Sequence, residues 1–591
     1  MPMFFPTGRS FRLIPLVLLL AAAIPARTPA ASLPPVEAAH GMVVTAQSLA
    51  SAVGVDILKQ GGNAVDAAVA VGYALAVVHS CCGNLGGGGF MLIHLAGGKD
   101  VVIDFRETAP LAATRDMYLD AAGNPIPGAS TEGYKAVGVP GTVLGLETAL
   151  KRYGSLSRAQ VMAPAIALAE QGFALTGPDV DILRTSTEAF AGQANVASIF
   201  LKQGQPFAAG DRLVQPELAE TLKLIARDGS DAFYRGPIAD AIVAASKANG
   251  GILEVEDFRH YEVVEREPLR CSYRGYDIVS TPPPSSGGVT ICEILNIASG
   301  FPLGAQGYHS AAATHNLVEA MRRAYVDRNN RLGDPAFVTN PLTELLSADY
   351  AAKLRAGIDA DHATASSTLK SALDQEGNQT THYSVIDAAG NAVGVTYTIN
   401  NYFGAKVIAG KTGFFLNDEM DDFTAKPGSP NMFGLVQGSA NEIAPGKRPL
   451  SSMSPTLLTR DGHVFLLLGS PGGARIITII LQVIVNVLDY GMDVQSAVNA
   501  PRFHHQWLPD VVFAEPFTFS ADTAAKLAAM GYKFKEQAPW GAAEAILVAP
   551  PTSTAGVAGG LDDSTHSSPL VPGHLYGAND ARRPGGAAMG Y

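Results

Sequence analysis

From Thr380 onward the chain consists of short strand patterns broken by tight turns, and this limits the folds open to it. THYSVIDAAGNAVGVTYTIN (381–400) reads as strand, turn and strand, with the turn at Ala389–Asn391. SPTLLTRDGHVFLLLGS (454–470) repeats the pattern around Asp461–Gly462. Directly after Ser470, Pro471, Gly472 and Gly473 comes a long apolar helix over about 474–490. A further helix near 521–530 and strands near 543–549 and 574–577 follow, with a low-complexity loop at 551–573 between the strands. Hairpins and apolar helices each have a face to bury. The expected fold class is therefore α+β, with stacked sheets covered by helices.

Upstream, residues 40–80 read as two helices around Gly61–Gly62. The second, from Asp66, is dense in Ala and Val and should be buried on most sides. GNLGGGGF (83–90) leads into a hairpin that turns at Gly97–Gly98. Helices are expected at 141–152, 158–171, 216–227, 236–248 and 310–326, with CSYRGYDIVST (271–281) as a strand between them. No internal repeat is present. The 591 residues, 47% of them hydrophobic, can bury a large core, and the formal charge of −12 argues against nucleic-acid or anionic-membrane partners.

Arg9 and Arg12 precede an apolar run, Leu13 to Ile24, and small residues follow it. This reads as a secretory signal peptide over about 1–31, cut after Ala26, Ala30 or Ala31. The run is shorter than the roughly 20 residues of a spanning helix, and Gln482 and Asn486 interrupt the apolar stretch 476–488, so no membrane span is expected in the mature chain. Four cysteines are present, Cys81, Cys82, Cys271 and Cys292. A Cys271–Cys292 disulfide suits an exported chain, but the sequence does not fix connectivity, and adjacent Cys81 and Cys82 do not easily bridge each other. No CxxC or HxxxH spacing occurs, and His504 and His505 are adjacent, so metal ligation is not expected. Gly86–Gly89 is no phosphate loop, since no Gly-Lys-Ser/Thr follows it.

Three local features would converge in an amide-cleaving enzyme. The first is a hydroxyl opening a strand, Thr380 or Thr381. The second is the pair Gly472 and Gly473, which ends a strand and opens a helix, where backbone N–H groups can stabilise an oxyanion. The third is a set of polar side chains able to hold a zwitterionic head. Taken alone each has a bland reading: a tight turn for the glycines, a solvated turn for Asp421 and Asp422, a structural ion pair with Asp104 or Glu107 for Arg106, and local backbone capping for Ser451 and Ser452.

Eight segments together resemble the γ-glutamyltranspeptidase family. They are GGNAVDAAVA (61–70), GNLGGGGFML (83–92), DFRETAP (104–110), QTTHYSVID (379–387), VTYTIN (395–400), NDEMDDF (417–423), KRPLSSMSPT (447–456) and LGSPGG (468–473), in family order over nearly the whole mature chain. The resemblance implies an N-terminal nucleophile hydrolase with a four-layer αββα sandwich. Its precursor cuts itself between Gln379 and Thr380 into a large subunit, 32–379, and a small one, 380–591, which stay together as a heterodimer. The family pattern favours Thr380 over Thr381 as nucleophile. Thr398 matches its supporting hydroxyl, Gly472 and Gly473 the oxyanion pair, and Arg106 with Ser451 and Ser452 the groups that bind a substrate α-carboxylate. Asn400, Glu419 and Asp422 match acceptors for the α-ammonium.

The implied activity is that of a γ-glutamyltransferase and glutathione hydrolase. Glutathione or another γ-glutamyl compound is the donor, and water, an amino acid or a dipeptide is the acceptor; no cofactor or metal is implied. The chain departs from the family in its lid loop, about 427–438, where Phe433 stands in place of a tyrosine or tryptophan, so a less firmly latched lid is expected. The rivals are an acylase of the same fold acting on glutaryl-cephalosporins or poly-γ-glutamate, and a non-catalytic γ-glutamyl-peptide binder.

Overall fold

The structure, a computed structural model, describes Met1 and residues 32–369, 380–550 and 570–591. The signal-peptide reading, Gln379 and most of the low-complexity loop lie outside the described residues. The architecture belongs to the unit Pro34–Tyr591.

The strands of the two main sheets are β1 (Val36–Ala38), β2 (Met42–Thr45), β3 (Gly88–His94), β4 (Asp100–Phe105), β5 (Val264–Arg266), β6 (Leu269–Tyr273) and β7 (Tyr276–Ser280), then β8 (Thr381–Ile386), β9 (Ala392–Thr398), β10 (Thr456–Arg460), β11 (His463–Gly469), β12 (Glu544–Val548), β13 (Leu575–Asn579) and β14 (Ala587–Gly590). They form two seven-stranded antiparallel sheets, β1-β13-β12-β11-β10-β7-β6 and β14-β2-β8-β9-β3-β4-β5. The sheets pack face to face through β8, β9, β11 and β12. Helices α1 (Ser48–Lys59) and α2 (Ala64–Val78) cover the outer face of the second sheet, and α3 (Gly287–Ala298) and α5 (Ile476–Leu488) that of the first. The result is the expected αββα sandwich. α4 (Ala311–Arg331) packs against α3.

The local chemistry explains these elements. The N-terminus of α2 is a capping box: the Asn63 side chain accepts from the Val65 and Asp66 amides while Asp66 accepts from Asn63 N–H. All fifteen residues of α2 are buried, as its Ala- and Val-rich sequence demands. Residues 271–281, expected as one strand, instead form the β6–β7 hairpin. The turn is Arg274–Gly275, both at positive φ (51° and 84°). A non-glycine residue at its first position hides the usual turn signal. Cys271 and Cys292 are disulfide-bonded, tying β6 to α3.

Candidate active site

Strand alternation separates the two threonines at the head of β8. Tyr383, on the same face as Thr381, packs on α2 beside Gly72, and Thr381 is fully buried. Thr380 shares the inter-sheet face with His382 and Ser384 and reaches a small, partly open cavity. There its Oγ1 donates to Thr398 Oγ1 at 3.4 Å, and Thr398 Oγ1 also accepts the Asn400 N–H at 2.8 Å. The cavity lining takes in Arg106, Thr380, Thr398, Asn400, Glu419, Asp422, Ser451, Ser452 and Gly473. Gly472 precedes it in the chain, and Gln379 is outside the described residues.

The positions of Thr398 and Asn400 depend on the glycine run. An added Cβ on Gly87 would lie 1.9 Å from the Thr398 carbonyl oxygen, so only glycine lets the strand head β3 pass beneath Thr398. Asn417 fastens the acidic turn to the same run. Its Nδ2 donates to the Gly86 and Gly138 carbonyls, both at 2.8 Å, and its Oδ1 accepts the Glu419 N–H at 3.0 Å. The turn Glu419–Asp422 thus faces Arg106. The fully buried guanidinium donates to Glu419 Oε1 through Nη1 and to Asp422 Oδ2 through Nη2, with Glu107 Oε2 3.3 Å from Nη1. Burial opposes the arginine's charge, but these carboxylates outweigh it. Burial in turn raises Glu419 well above its ordinary value and pushes Glu107 up to about 7. Asn400 Nδ2 donates to the Asp418 carbonyl at 3.0 Å, which leaves the amide oxygen as an acceptor.

The serines are oriented as donors. Ser451 Oγ accepts the Met453 N–H at 3.1 Å, and Ser452 Oγ accepts from Arg328 Nη2 at 2.9 Å, so each hydroxyl proton is directed elsewhere. Arg328 is a cavity residue that the sequence reading missed. It is buried on α4, burial holds it down to about 10, and its guanidinium donates to Asn329 Oδ1 and Ser452 Oγ. In RRAYVDRNNR it looks like one more charge on a helix face. Only the tertiary fold shows that it backs Ser452.

Gly472 and Gly473 sit at φ 142° and 54°, at the turn between β11 and α5, and no side chain among the described residues caps that turn. Their amides are therefore available to a developing negative charge, at the positive end of the helix. His382 is two residues from Thr380 on the same face, yet burial pushes it down to about 3, and its ring nitrogens meet Thr396 Oγ1 (2.8 Å) and Ser384 Oγ (3.0 Å). It is neutral at working pH and committed to the sheet interior. His504 and His505 serve the core: His504 bonds Thr478 and Gln506, and His505 accepts the Trp507 N–H.

Phe433 lines the cavity, as its place in the lid loop implied. Its neighbour Met432 makes the contact to the asparagines, with its sulfur 3.7 Å from Asn400 Nδ2 and 3.1 Å from Asn401 Nδ2. Asp421 holds the loop by accepting the Met432 N–H at 3.0 Å.

The family model described as γ-glutamyltranspeptidase matches residues 50–589. A glutathione hydrolase proenzyme of Pseudomonas sp. (strain A14) is 56% identical over 95% of this chain and 96% of its own length. The Escherichia coli (strain K12) glutathione hydrolase proenzyme is 48% identical over 94% of this chain and 93% of its own. Among solved structures, a cephalosporin acylase from Bacillus halodurans superposes with a TM-score of 0.81 at 28% identity, covering 96% of this chain and 99% of that one.

Proposed function

The chain belongs to the γ-glutamyltranspeptidase family, and on that premise we propose that Thr380 is the nucleophile of a γ-glutamyltransferase and glutathione hydrolase, made as a self-cleaving proenzyme. The observation that carries the reading is the Thr380–Thr398 hydroxyl pair opening into one cavity with Arg106, two acids and two serines. In the precursor, the Thr380 hydroxyl attacks the Gln379 carbonyl, and the ester formed by the N-to-O shift is hydrolysed. Cleavage leaves large (32–379) and small (380–591) subunits and frees an α-amine whose ordinary pKa is near about 7.7–8.0. That amine takes the Thr380 hydroxyl proton as the γ-carbonyl of the donor is attacked. The Gly472 and Gly473 amides stabilise the oxyanion, the amine of the donor leaves, and water or an amino acid or dipeptide then accepts the γ-glutamyl group.

The head-group chemistry favours a zwitterion. An α-carboxylate inserted at Arg106, Ser451 and Ser452 displaces Glu419 and Asp422 from the guanidinium, and an α-ammonium inserted beside Asn400 gives those acids a new partner. Each buried charge exchanges one partner for another. A glutaryl group has no ammonium and would leave Glu419 and Asp422 unpaired, which favours γ-glutamyl over the acylase reading. The N-terminal run supports export to the periplasm or exterior, and no described helix is long and apolar enough to cross a membrane.

The test compares γ-glutamyl-p-nitroanilide with glutaryl-p-nitroanilide. The reading requires kcat/KM to favour the γ-glutamyl compound by about 100-fold or more. Equal or better turnover of the glutaryl compound would place the chain with the acylases.

A further inference from the structure

Behind the site, the turn that leaves α2 brings three reactive side chains together. One ligand-type atom from each of His79, Cys81 and Cys82 lies within 4.8 Å of the others, and all three residues are buried. Cys81 Sγ is 2.6 Å from Cys82 Sγ and 3.5 Å from His79 Nε2. The backbone fixes this arrangement. The Cys82 and Gly83 amides both donate to the His79 carbonyl, at 3.0 and 2.9 Å, and a Cβ on Gly83 would lie 2.4 Å from the Leu75 carbonyl oxygen. The sulfur separation is closer to the about 2.05 Å of a disulfide than to the roughly 3.8 Å between two thiolates on one tetrahedral zinc. The group also offers only three ligands where a structural zinc takes four.

The turn is bonded to the segment that follows β9. The Cys81 carbonyl accepts the Phe403 N–H at 2.9 Å, and the Cys82 carbonyl accepts from Asn84 Nδ2 at 3.0 Å. Asn84 Oδ1 accepts the N–H of Gly87, the glycine beneath Thr398. Cys81 lines a narrow cleft that opens to solvent, with His79, Phe173, Leu175, Asp179 and Phe403.

We propose that Cys81 and Cys82 form a reversible thiol–disulfide site, oxidised by low-molecular-weight disulfides that enter this cleft, and that its state alters turnover through the end of β9, which carries Thr398, and the segment after it, which carries Asn400. The Cys82 thiolate takes the Cys81 proton as Cys81 attacks one sulfur of the disulfide RSSR, and the first thiol departs as RS⁻. Cys82 then attacks the Cys81 sulfur, closing the Cys81–Cys82 bond and expelling the second RSH with the Cys82 proton. The two cysteines lose two electrons, and RSSR is reduced to two thiols. Burial and the contact with Cys82 hold the Cys81 thiol well above its ordinary value. Burial also opposes ionisation of Cys82, yet the Cys81 thiol and His79 bring it down to about 5, so Cys82 is the thiolate that accepts the Cys81 proton. Adjacent residues have Cα atoms about 3.8 Å apart, shorter than unstrained disulfides prefer, so the bond is readily reduced again.

The test uses the full processed protein in buffers of 2-mercaptoethanol and its disulfide, which carry no γ-glutamyl group. After acid trapping and alkylation in denaturant, the tryptic fragment 60–99, whose only cysteines are Cys81 and Cys82, is weighed. The expected result is two labels in reducing buffer falling to none in oxidising buffer, with loss of two hydrogens. Two labels throughout, a mixed disulfide that never resolves, or protection that a chelator abolishes would each overturn the site. In the same buffers, kcat/KM for γ-glutamyl-p-nitroanilide should change by about twofold or more in step with the labels, and stay constant in the Cys81→Ser, Cys82→Ser double variant. A rate that is flat while the labels disappear overturns the coupling. Only this readout rests on the γ-glutamyl reading; the label count stands or falls without it.

Discussion

Arg106 carries the largest electrostatic load at the site, buried among Glu107, Glu419 and Asp422. Lysine keeps the charge but not the planar fork that serves several carboxylates at once. Arg106→Lys should lower kcat/KM for γ-glutamyl-p-nitroanilide by about 100-fold or more, mostly through KM; a wild-type KM would remove Arg106 from substrate binding. Arg328 lines the same cavity and donates to Ser452. Arg328→Gln should raise KM by about tenfold and leave the self-cleavage at Thr380 intact, as read by gel and by steady-state rates. His382 supplies a pH test. Its folded pKa, about 3, lies below the ordinary value near 6.5, so unfolding takes up a proton between those limits. Its contribution is present above about pH 6.5 and is lost as pH falls towards 3, by up to about 1.4 kcal/mol per pH unit. The Tm of His382→Gln should accordingly fall less steeply than wild type on acidification from pH 6.5; parallel curves would show that His382 is not held neutral.

At the scale of elements, the site hangs on places where backbones pass too closely for any side chain. Gly87→Ala sets a methyl against the Thr398 carbonyl, 1.9 Å away. A cost of about 3 kcal/mol or more and loss of self-cleavage are expected, whereas Gly97→Ala, with open space around it, should be silent in both assays. The disulfide between β6 and α3 closes a separation of 21 residues, worth about 3 kcal/mol. Replacing both cysteines by alanine should lower Tm by calorimetry without changing KM. Much of this scale is legible in the sequence, because alternation and turn residues mark the β8–β9 and β10–β11 hairpins directly. The β6–β7 hairpin was hidden by Arg274 at a position that favours glycine or asparagine. The ordered family motifs located the cavity residues. Arg328 could not be read, since its role depends on α4 meeting the Ser451–Ser452 segment, a contact between residues 124 positions apart. The Cys81–Cys82 contact likewise depends on how one turn is held.

Across the whole molecule, residues before and after 380 alternate within both sheets. In the second sheet β8 and β9 lie between β2 and β3, and in the first β10 to β13 lie between β1 and β7. A chain cut at Gln379–Thr380 would keep these strand ladders, so the two subunits should stay together without a covalent link between them and separate only on denaturation. On the proposed cleavage, the interlacing requires both parts to fold as one chain before the cut, as a cleavage reaction that uses the finished site would need. The most direct test of the Thr380 assignment is the intact mass of the purified protein under denaturing conditions, beside that of Thr380→Ala. The account predicts two wild-type chains whose masses meet at the Gln379–Thr380 bond, and one uncut chain for the variant. A folded wild-type protein that remains a single chain, or a variant that is cut at the same bond, would contradict it.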